Sequence, residues 1–150
     1  MASASEGRAA ERHRGRERAL QMLYQWEVGR ADPDEVDRTF WQLPLDEASE
    51  PVRRFASELW RGTVARLDAL DPLLSAHAAN WRLERMAVID RLILRLALYE
   101  LTSHPETPAA VIIDEAVELA KTYSSDTAAG FVNGLLDAVA RGIGRGGELS

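Results

Sequence analysis

The sequence contains no cysteine, and this absence excludes disulfide bridges, cysteine-ligated zinc sites and catalytic thiols. Only one of its 18 basic residues is a lysine, Lys121, so its positive charge is carried almost entirely by arginine. No uncharged apolar run approaches the roughly 18 residues that a membrane span requires. The opening residues, MASASEGRAAERHRG, lack the apolar core of a signal peptide. These absences favour a cytoplasmic protein.

The formal net charge of −6 argues against nucleic-acid binding by the chain as a whole, but the charge is unevenly distributed. Residues 1–18 contain five arginines and three glutamates, a local charge of +2, which leaves −8 for the rest of the chain. A basic segment attached to an acidic body is typical of a protein whose basic segment binds a polyanion. The charge pattern therefore indicates a phosphate-bearing partner for the amino-terminal segment.

The hydrophobic pattern predicts helices from end to end. The first helix is expected from about Arg8 to Val28, and the segment 83–103 is apolar on nearly all sides, which predicts a central helix. Further helix starts are predicted at Asp32–Pro33, Glu50–Pro51, Thr107–Pro108 and Ser124–Asp126. The sequence thus predicts an all-α bundle of about seven helices. Its single domain would span residues 8–143, between a disordered amino terminus at 1–7 and a disordered tail at 144–150.

Two of the glycines inside predicted helices bear on helix packing and continuity. Gly134 lies in the last helix, where glycine costs about 1 kcal/mol relative to alanine. We expect this cost to be offset by the close approach of another helix. Gly15 interrupts the arginine run of the first helix, and we expect it to weaken the continuity of the helix there.

No catalytic motif has the structural context that it needs. The segment GIGRGG has the GxGxxG spacing of a dinucleotide loop, but that loop follows a strand and opens a helix, whereas here it follows the last predicted helix. Asp114 and Glu118 share a helical face, for which a solvated face is preferred to a metal or acid–base pair. The three histidines have no metal-ligand spacing. We therefore expect no enzymatic activity, no cofactor and no metal site.

The arginine run places cations where a helix disfavours them. Arg8, Arg12 and Arg16 are spaced by four residues, on a line that continues into Ala19 and Leu23. Cations near a helix amino terminus oppose the macrodipole by roughly 0.3–1 kcal/mol each. The pattern predicts first turns that project beyond the core and offer guanidinium groups to phosphates. The alternative is a solvated, frayed helix end that is neutralised by nearby glutamates.

Four segments resemble, in order along the chain, the NusB family of bacterial transcription antitermination factors: RERALQMLYQWEVG, IDRLILRLALYEL, TPAAVIIDEAVELAKTY and FVNGLLDAV. The resemblance spans roughly Arg8 to Val139. It implies a NusB-like all-α fold of two helical subdomains. It also implies a non-enzymatic role, in which the protein pairs with the ribosomal protein NusE, binds boxA RNA of nascent ribosomal transcripts and promotes read-through by RNA polymerase.

The resemblance also implies which positions carry this function. The RNA-contacting residues would be Arg8, Arg12, Arg14, Arg16 and Arg18 in the arm, and Lys121, Tyr123, Thr127 and Phe131 around the loop before FVNG. The residues facing NusE would be Tyr24 and Asp90, with Glu84 nearby. The family includes monomers and dimers, and a homodimer that covered the arm would regulate access to RNA.

Two alternatives to the free-standing antitermination factor stay open. A NusB-like domain also forms the amino-terminal part of certain ribosomal RNA cytosine methyltransferases. This sequence predicts no cofactor-binding α/β domain and has no cysteine, so we expect the free-standing factor. The second alternative is a helical protein–protein adaptor that does not bind RNA. Salt dependence separates it from an RNA binder, because only contacts with phosphates release counterions.

Overall fold

A computed structural model of the protein describes residues 4–42, 48–78 and 83–149. Within these ranges the chain forms seven α-helices, two short 3-10 helices and no strand. The α-helices are α1 (Ala4–Gly29), α2 (Pro33–Phe40), α3 (Glu50–Ala65), α4 (Leu67–His77), α5 (Val88–Ser103), α6 (Ala109–Tyr123) and α7 (Asp126–Gly142). The 3-10 helices are Leu83–Arg85 and Gly146–Glu148. The chain divides into two compact units, residues 1–64 and 65–150, so the predicted all-α fold in two subdomains is confirmed.

Side-chain caps begin two of the helices as predicted. Asp32 precedes α2, where its carboxylate accepts a hydrogen bond from the Asp34 amide at 2.9 Å. Ser125 precedes α7, where its hydroxyl accepts from the Ala128 amide at 3.0 Å. Each cap satisfies one of the amides that a helix start leaves without an intrahelical partner.

The start of α6 lies one residue later than predicted. Pro108 takes the cap position in place of Thr107, and no side chain of its own segment caps the helix. The carboxylate of Glu148, from the end of the chain, accepts instead from the Ala109 amide at 3.1 Å. A long-range acceptor of this kind cannot be read from the local sequence.

The first unit is held together by an apolar core and a partly buried polar network. The core contains Ala19, Leu20, Met22 and Leu23 of α1, Val36 and Phe40 of α2, and Val52, Ala56, Leu59 and Trp60 of α3. Asp37 of α2 accepts hydrogen bonds from the indole of Trp60 at 2.9 Å, from the Ser57 hydroxyl and from the Arg61 guanidinium. Hydrogen bonds from Arg61 to Asp34 and Asp37 raise the pKa of its guanidinium. This network fixes α2 against α3.

The second unit is built around α5, as its apolar composition predicted. Nearly all of its later side chains are buried: Leu92, Ile93, Leu94, Leu96, Ala97, Leu98, Tyr99 and Leu101. It packs against α4, α6 and α7. Arg95 donates two hydrogen bonds of 2.8 Å to the carboxylate of Asp71, which ties α5 to α4. A bidentate pair of this kind restrains the relative orientation of two helices as well as the distance between them.

The expectation for Gly134 is wrong. It is exposed, and a Cβ placed on it would meet nothing within 4 Å. Close approach occurs at Gly142 instead, where a Cβ would lie 2.7 Å from Nε2 of His77. Gly144, two residues on, has a φ of +86°, which L residues rarely adopt. Gly142 is therefore explained by packing, and Gly144 by the turn that ends α7.

The predicted disordered tail is packed as far as Leu149, because Arg145 anchors it. Arg145 is only 8% exposed, and its guanidinium donates to the carbonyl of Leu101 at 2.8 Å and to that of Thr107. It also pairs with Glu148, which raises the pKa of Arg145 and lowers that of Glu148. At the other end of the chain, residues 4–7 belong to α1, and residues 1–3 and 150 lie outside the described ranges.

Candidate nucleic-acid interface

The arginine-rich arm, residues 8–18, is part of a continuous helix. Helix α1 runs without interruption from Ala4 to Gly29, so the expected weakening at Gly15 does not occur. Gly15 is buried, and a Cβ placed on it would lie 2.6 Å from Cδ2 of Phe55 in α3. The glycine therefore serves the close packing of α1 on an aromatic ring.

Two arm arginines lie over the same ring. Cζ of Arg12 is 4.1 Å from the centroid of Phe55, and Cζ of Arg16 is 5.5 Å from it. Both distances are within the range of cation–π attraction. Arg12 is exposed, whereas Arg16 is only 4% exposed. The prediction that the arginine stripe projects beyond the core is therefore wrong for Arg16.

The other arm arginines differ in their surroundings. Arg8 and Arg14 are exposed, and Arg18 is half-buried and donates to the side-chain carbonyl of Gln21 at 3.0 Å. Glu11 accepts a hydrogen bond from the Ser49 hydroxyl at 3.2 Å, a second link between the arm and the start of α3. Three of the five predicted RNA-contacting arginines are thus exposed: Arg8, Arg12 and Arg14.

The second set of predicted RNA-contacting residues surrounds one loop of the second unit. Lys121 and Tyr123 lie in the last turn of α6, and Thr127 and Phe131 lie in the first turns of α7. Lys121 and Thr127 are exposed, and the two aromatic side chains are half-buried. Nζ of Lys121 is 3.7 Å from Glu118, an exposed pair that leaves the ammonium accessible to solvent. The structure therefore brings these four residues together as predicted.

The residues predicted to face a protein partner are accessible to different degrees. In the first unit, Tyr24 is 46% exposed, and Val28, one turn further along α1, is 56% exposed. In the second unit, Glu84 is exposed in the 3-10 helix before α5. Asp90 is half-buried in the first turn of α5, and no hydrogen-bond donor within the described residues reaches its Oδ1. Val28 was not among the predicted residues.

Phe55 is the residue of this region that the sequence did not reveal. Its place in the apolar stripe of α3 predicted a core residue, yet it is half-buried and faces two arginines. The one available signal was Gly15, whose lack of a side chain makes room for the ring.

Among residues 4–42, 48–78 and 83–149, no group of three His, Asp or Glu side chains is arranged to hold a metal ion. No helix within these ranges has both the length and the apolar character to cross a lipid bilayer.

A family model described as the NusB family matches residues 13–141. The chain belongs to the NusB family. A transcription antitermination protein NusB from Koribacter versatilis is 45% identical to it, over 87% of this chain and 88% of the relative. The protein of the same name from Sorangium cellulosum is 47% identical, over 89% of this chain and 94% of the relative.

Solved structures agree with this assignment. The structure of T. maritima NusB matches with a TM-score of 0.77 and 34% identity, over 87% of this chain and 90% of that one. A structure of the antitermination factors NusB and NusE in complex with double-stranded RNA matches with a TM-score of 0.80, over 89% of this chain and 98% of that one. At 23% identity, the latter match establishes the shared NusB fold. The family resemblance and the fold predicted from it are confirmed.

Proposed function

We propose that this NusB-family protein is an RNA-binding transcription antitermination factor without enzymatic activity. Together with NusE, it would bind boxA-type RNA in nascent ribosomal transcripts and promote read-through by RNA polymerase in the cytoplasm. Its relatives are named transcription antitermination proteins, which supports this role.

The observation that carries the proposal is the group of exposed arginines in the arm of α1. Arg8, Arg12 and Arg14 are exposed on one ordered helix, although the chain as a whole carries a net charge of −6. Guanidinium groups match phosphate oxygens in both charge and hydrogen-bond geometry. A helix that holds them in place lowers the entropy lost when RNA binds. Arg18, which is half-buried, would add a further contact with RNA, and Arg16 would act from within the protein.

The loop between α6 and α7 would provide the second contact with RNA. Lys121 supplies an exposed cation, and Thr127 supplies an exposed hydroxyl. The half-buried rings of Tyr123 and Phe131 leave part of each aromatic surface accessible. Unpaired bases of single-stranded RNA stack on such rings.

The residues proposed to contact NusE are an exposed aromatic residue in the first unit and acidic residues in the second unit. Tyr24 offers an exposed ring, and Glu84 and Asp90 offer carboxylates. The Asp90 Oδ1 atom is buried and lacks a donor among the described residues, which is a costly arrangement for a carboxylate oxygen. In the solved neighbour with this fold, NusB is found together with NusE and RNA.

A binding assay across a salt series tests the proposal. Labelled single-stranded boxA RNA is titrated with the protein, with and without NusE, and a scrambled RNA serves as the control. With about four phosphates contacted, the logarithm of affinity should fall against the logarithm of salt concentration with a slope near −3. Binding of boxA RNA should exceed that of scrambled RNA, and NusE should strengthen it.

Two results would contradict the proposal. A flat salt dependence would show that phosphates are not contacted, and a lack of boxA binding even with NusE would leave an adaptor role.

Light scattering with and without NusE would show in the same samples whether a homodimer forms and whether NusE dissociates it.

A further inference from the structure

The arm contacts Phe55 and the start of α3 through two successive turns of α1. Glu11 is joined to Ser49 just before α3, the Arg12 guanidinium lies over the ring, and Gly15 allows the ring to approach the α1 backbone. Arg16 closes the other side at a longer distance. All of these residues belong to the first unit. An exposed aromatic ring would ordinarily be a liability, and here cationic side chains cover it.

The contact between Arg12 and Phe55 differs from an ion pair because it leaves the charge and the N–H donors of the guanidinium available to another ligand. A carboxylate partner would occupy the N–H donors of the guanidinium and cancel its charge. An aromatic ring attracts the cation through its π face and leaves both the charge and N–H donors for another acceptor. A long flexible side chain is thus held in place without losing its capacity to bind phosphate.

We propose that Phe55 is a positioning residue for RNA binding: its ring holds the Arg12 guanidinium in an orientation ready to meet the RNA backbone. This inference rests on the proposed RNA-binding function and adds a determinant outside the residues that contact RNA. Phe55 itself touches no RNA in this arrangement. It acts by reducing the side-chain freedom that Arg12 loses when it binds phosphate.

A double-mutant cycle measured by RNA binding tests this role. The variants are Phe55→Leu, Arg12→Ala and the pair together, each assayed with single-stranded boxA RNA and NusE at a temperature where circular dichroism shows all of them folded. Leucine retains an apolar side chain but lacks the π face. Phe55→Leu should lower affinity about two- to fivefold, the range that corresponds to a cation–π contact of about 0.5–1 kcal/mol. The slope against salt should stay unchanged, because no charge is removed.

The second half of the cycle separates positioning from a general effect on the fold. In the Arg12→Ala background, Phe55→Leu should have no further effect on affinity, since the side chain that it positions is absent. In an Arg14→Ala background, the effect of Phe55→Leu should persist in full, because Arg14 is exposed and is not one of the arginines over the ring. Phe55→Tyr, which keeps the π face, should restore wild-type binding.

The outcomes separate this inference from the proposed function. If Phe55→Leu lowers affinity equally in the wild-type and Arg12→Ala backgrounds, the ring acts only on the fold and the positioning role is overturned. An unchanged affinity in Phe55→Leu overturns it as well, while salt-dependent boxA binding by the wild type leaves the proposed function standing. If the wild type fails to bind boxA RNA with NusE, the proposed function and this inference fall together.

Discussion

At the carboxyl-terminal end of the chain Arg145 is enclosed by hydrogen-bond acceptors, whereas in the amino-terminal arm Arg12 lies over an aromatic ring. The acceptors around Arg145 are the carbonyls of Leu101 and Thr107 and the carboxylate of Glu148. They use up its donors and neutralise its charge. The Phe55 ring beneath Arg12 does neither.

The comparison shows that the surroundings of an arginine decide its role, more than its residue type or its spacing in the sequence. Arg145 links the last carbonyls of α5 to the loop before α6, and it is unavailable to a ligand. Arg12 keeps its charge in solvent. Arg16 lies between these extremes, because it is buried yet lies on the same side of α1 as Arg12.

The largest effect is expected when Arg145 is removed. Arg145→Ala leaves buried carbonyls and the Glu148 carboxylate without their donor, so it should lower the free energy of unfolding by about 2–4 kcal/mol. Arg141→Ala is the matched control, because Arg141 is exposed and pairs with Asp137 one turn away. It should cost at most about 0.5 kcal/mol. Urea unfolding followed by circular dichroism measures both, and equal losses would show that the Arg145 contacts add nothing.

Alanine substitutions at Gly15 and Gly134 should change the free energy of unfolding in opposite directions, because Gly15 lies against the Phe55 ring and Gly134 faces open space. Gly15→Ala places a Cβ 2.6 Å from the Phe55 ring, so it should destabilise the protein by about 1–3 kcal/mol. Gly134→Ala adds a methyl group in open space on an exposed helix face, so it should stabilise by about 0.5–1 kcal/mol. The same unfolding measurement compares them. A stable Gly15→Ala protein would mean that the arm does not pack on the ring.

Within the arm, burial should separate Arg16 from Arg14. Arg16→Ala removes a buried side-chain stem and a cation near the Phe55 ring, and should cost about 1–2 kcal/mol of stability. Arg14→Ala removes an exposed side chain, and its stability should stay within about 0.5 kcal/mol of wild type. Thermal unfolding of the two variants measures the difference. Equal melting temperatures would contradict the division of the arm into buried and exposed cations.

The smallest effect concerns acid stability and Glu148. The hydrogen bond from Arg145 lowers the pKa of Glu148 below its ordinary value of 4.5. Because the pKa is lower in the folded protein, its contribution is fully present above pH 4.5 and is lost as the pH falls through the lowered value. Glu148→Gln should therefore reduce the loss of stability between about pH 5 and pH 3. Unfolding curves across this range measure the change, and parallel pH profiles for the variant and wild type would rule out the effect.

Local signals in the sequence predicted much of the fold. Asp32 and Ser125 predicted the starts of α2 and α7, because the side chain of a capping residue accepts a hydrogen bond from an amide within three residues of its own position. The apolar surface of the segment that became α5 predicted its central place in the second unit. The loop residues of the second proposed RNA contact were also brought together as expected.

Long-range contacts account for what the sequence could not predict. Gly15 looked like a weak point because its partner, Phe55, lies 40 positions away in the chain. The tail looked disordered because the acceptors of Arg145 belong to the end of α5 and the loop after it. Arg8, Arg12 and Arg16 have identical spacing, yet Arg8 and Arg12 are exposed and Arg16 is buried. The periodicity of a sequence predicts which residues share a face of a helix, but it does not predict which element packs against that face.

The salt dependence of RNA binding by an Arg12→Ala/Arg14→Ala protein tests most directly the claim that the exposed arm arginines meet phosphates. The titration uses single-stranded boxA RNA with NusE, as for the wild type. Each phosphate contact on a single strand contributes about 0.7 to the slope of log affinity against log salt, so we predict that the slope becomes shallower by about 1.4. A slope equal to that of the wild type would contradict the account.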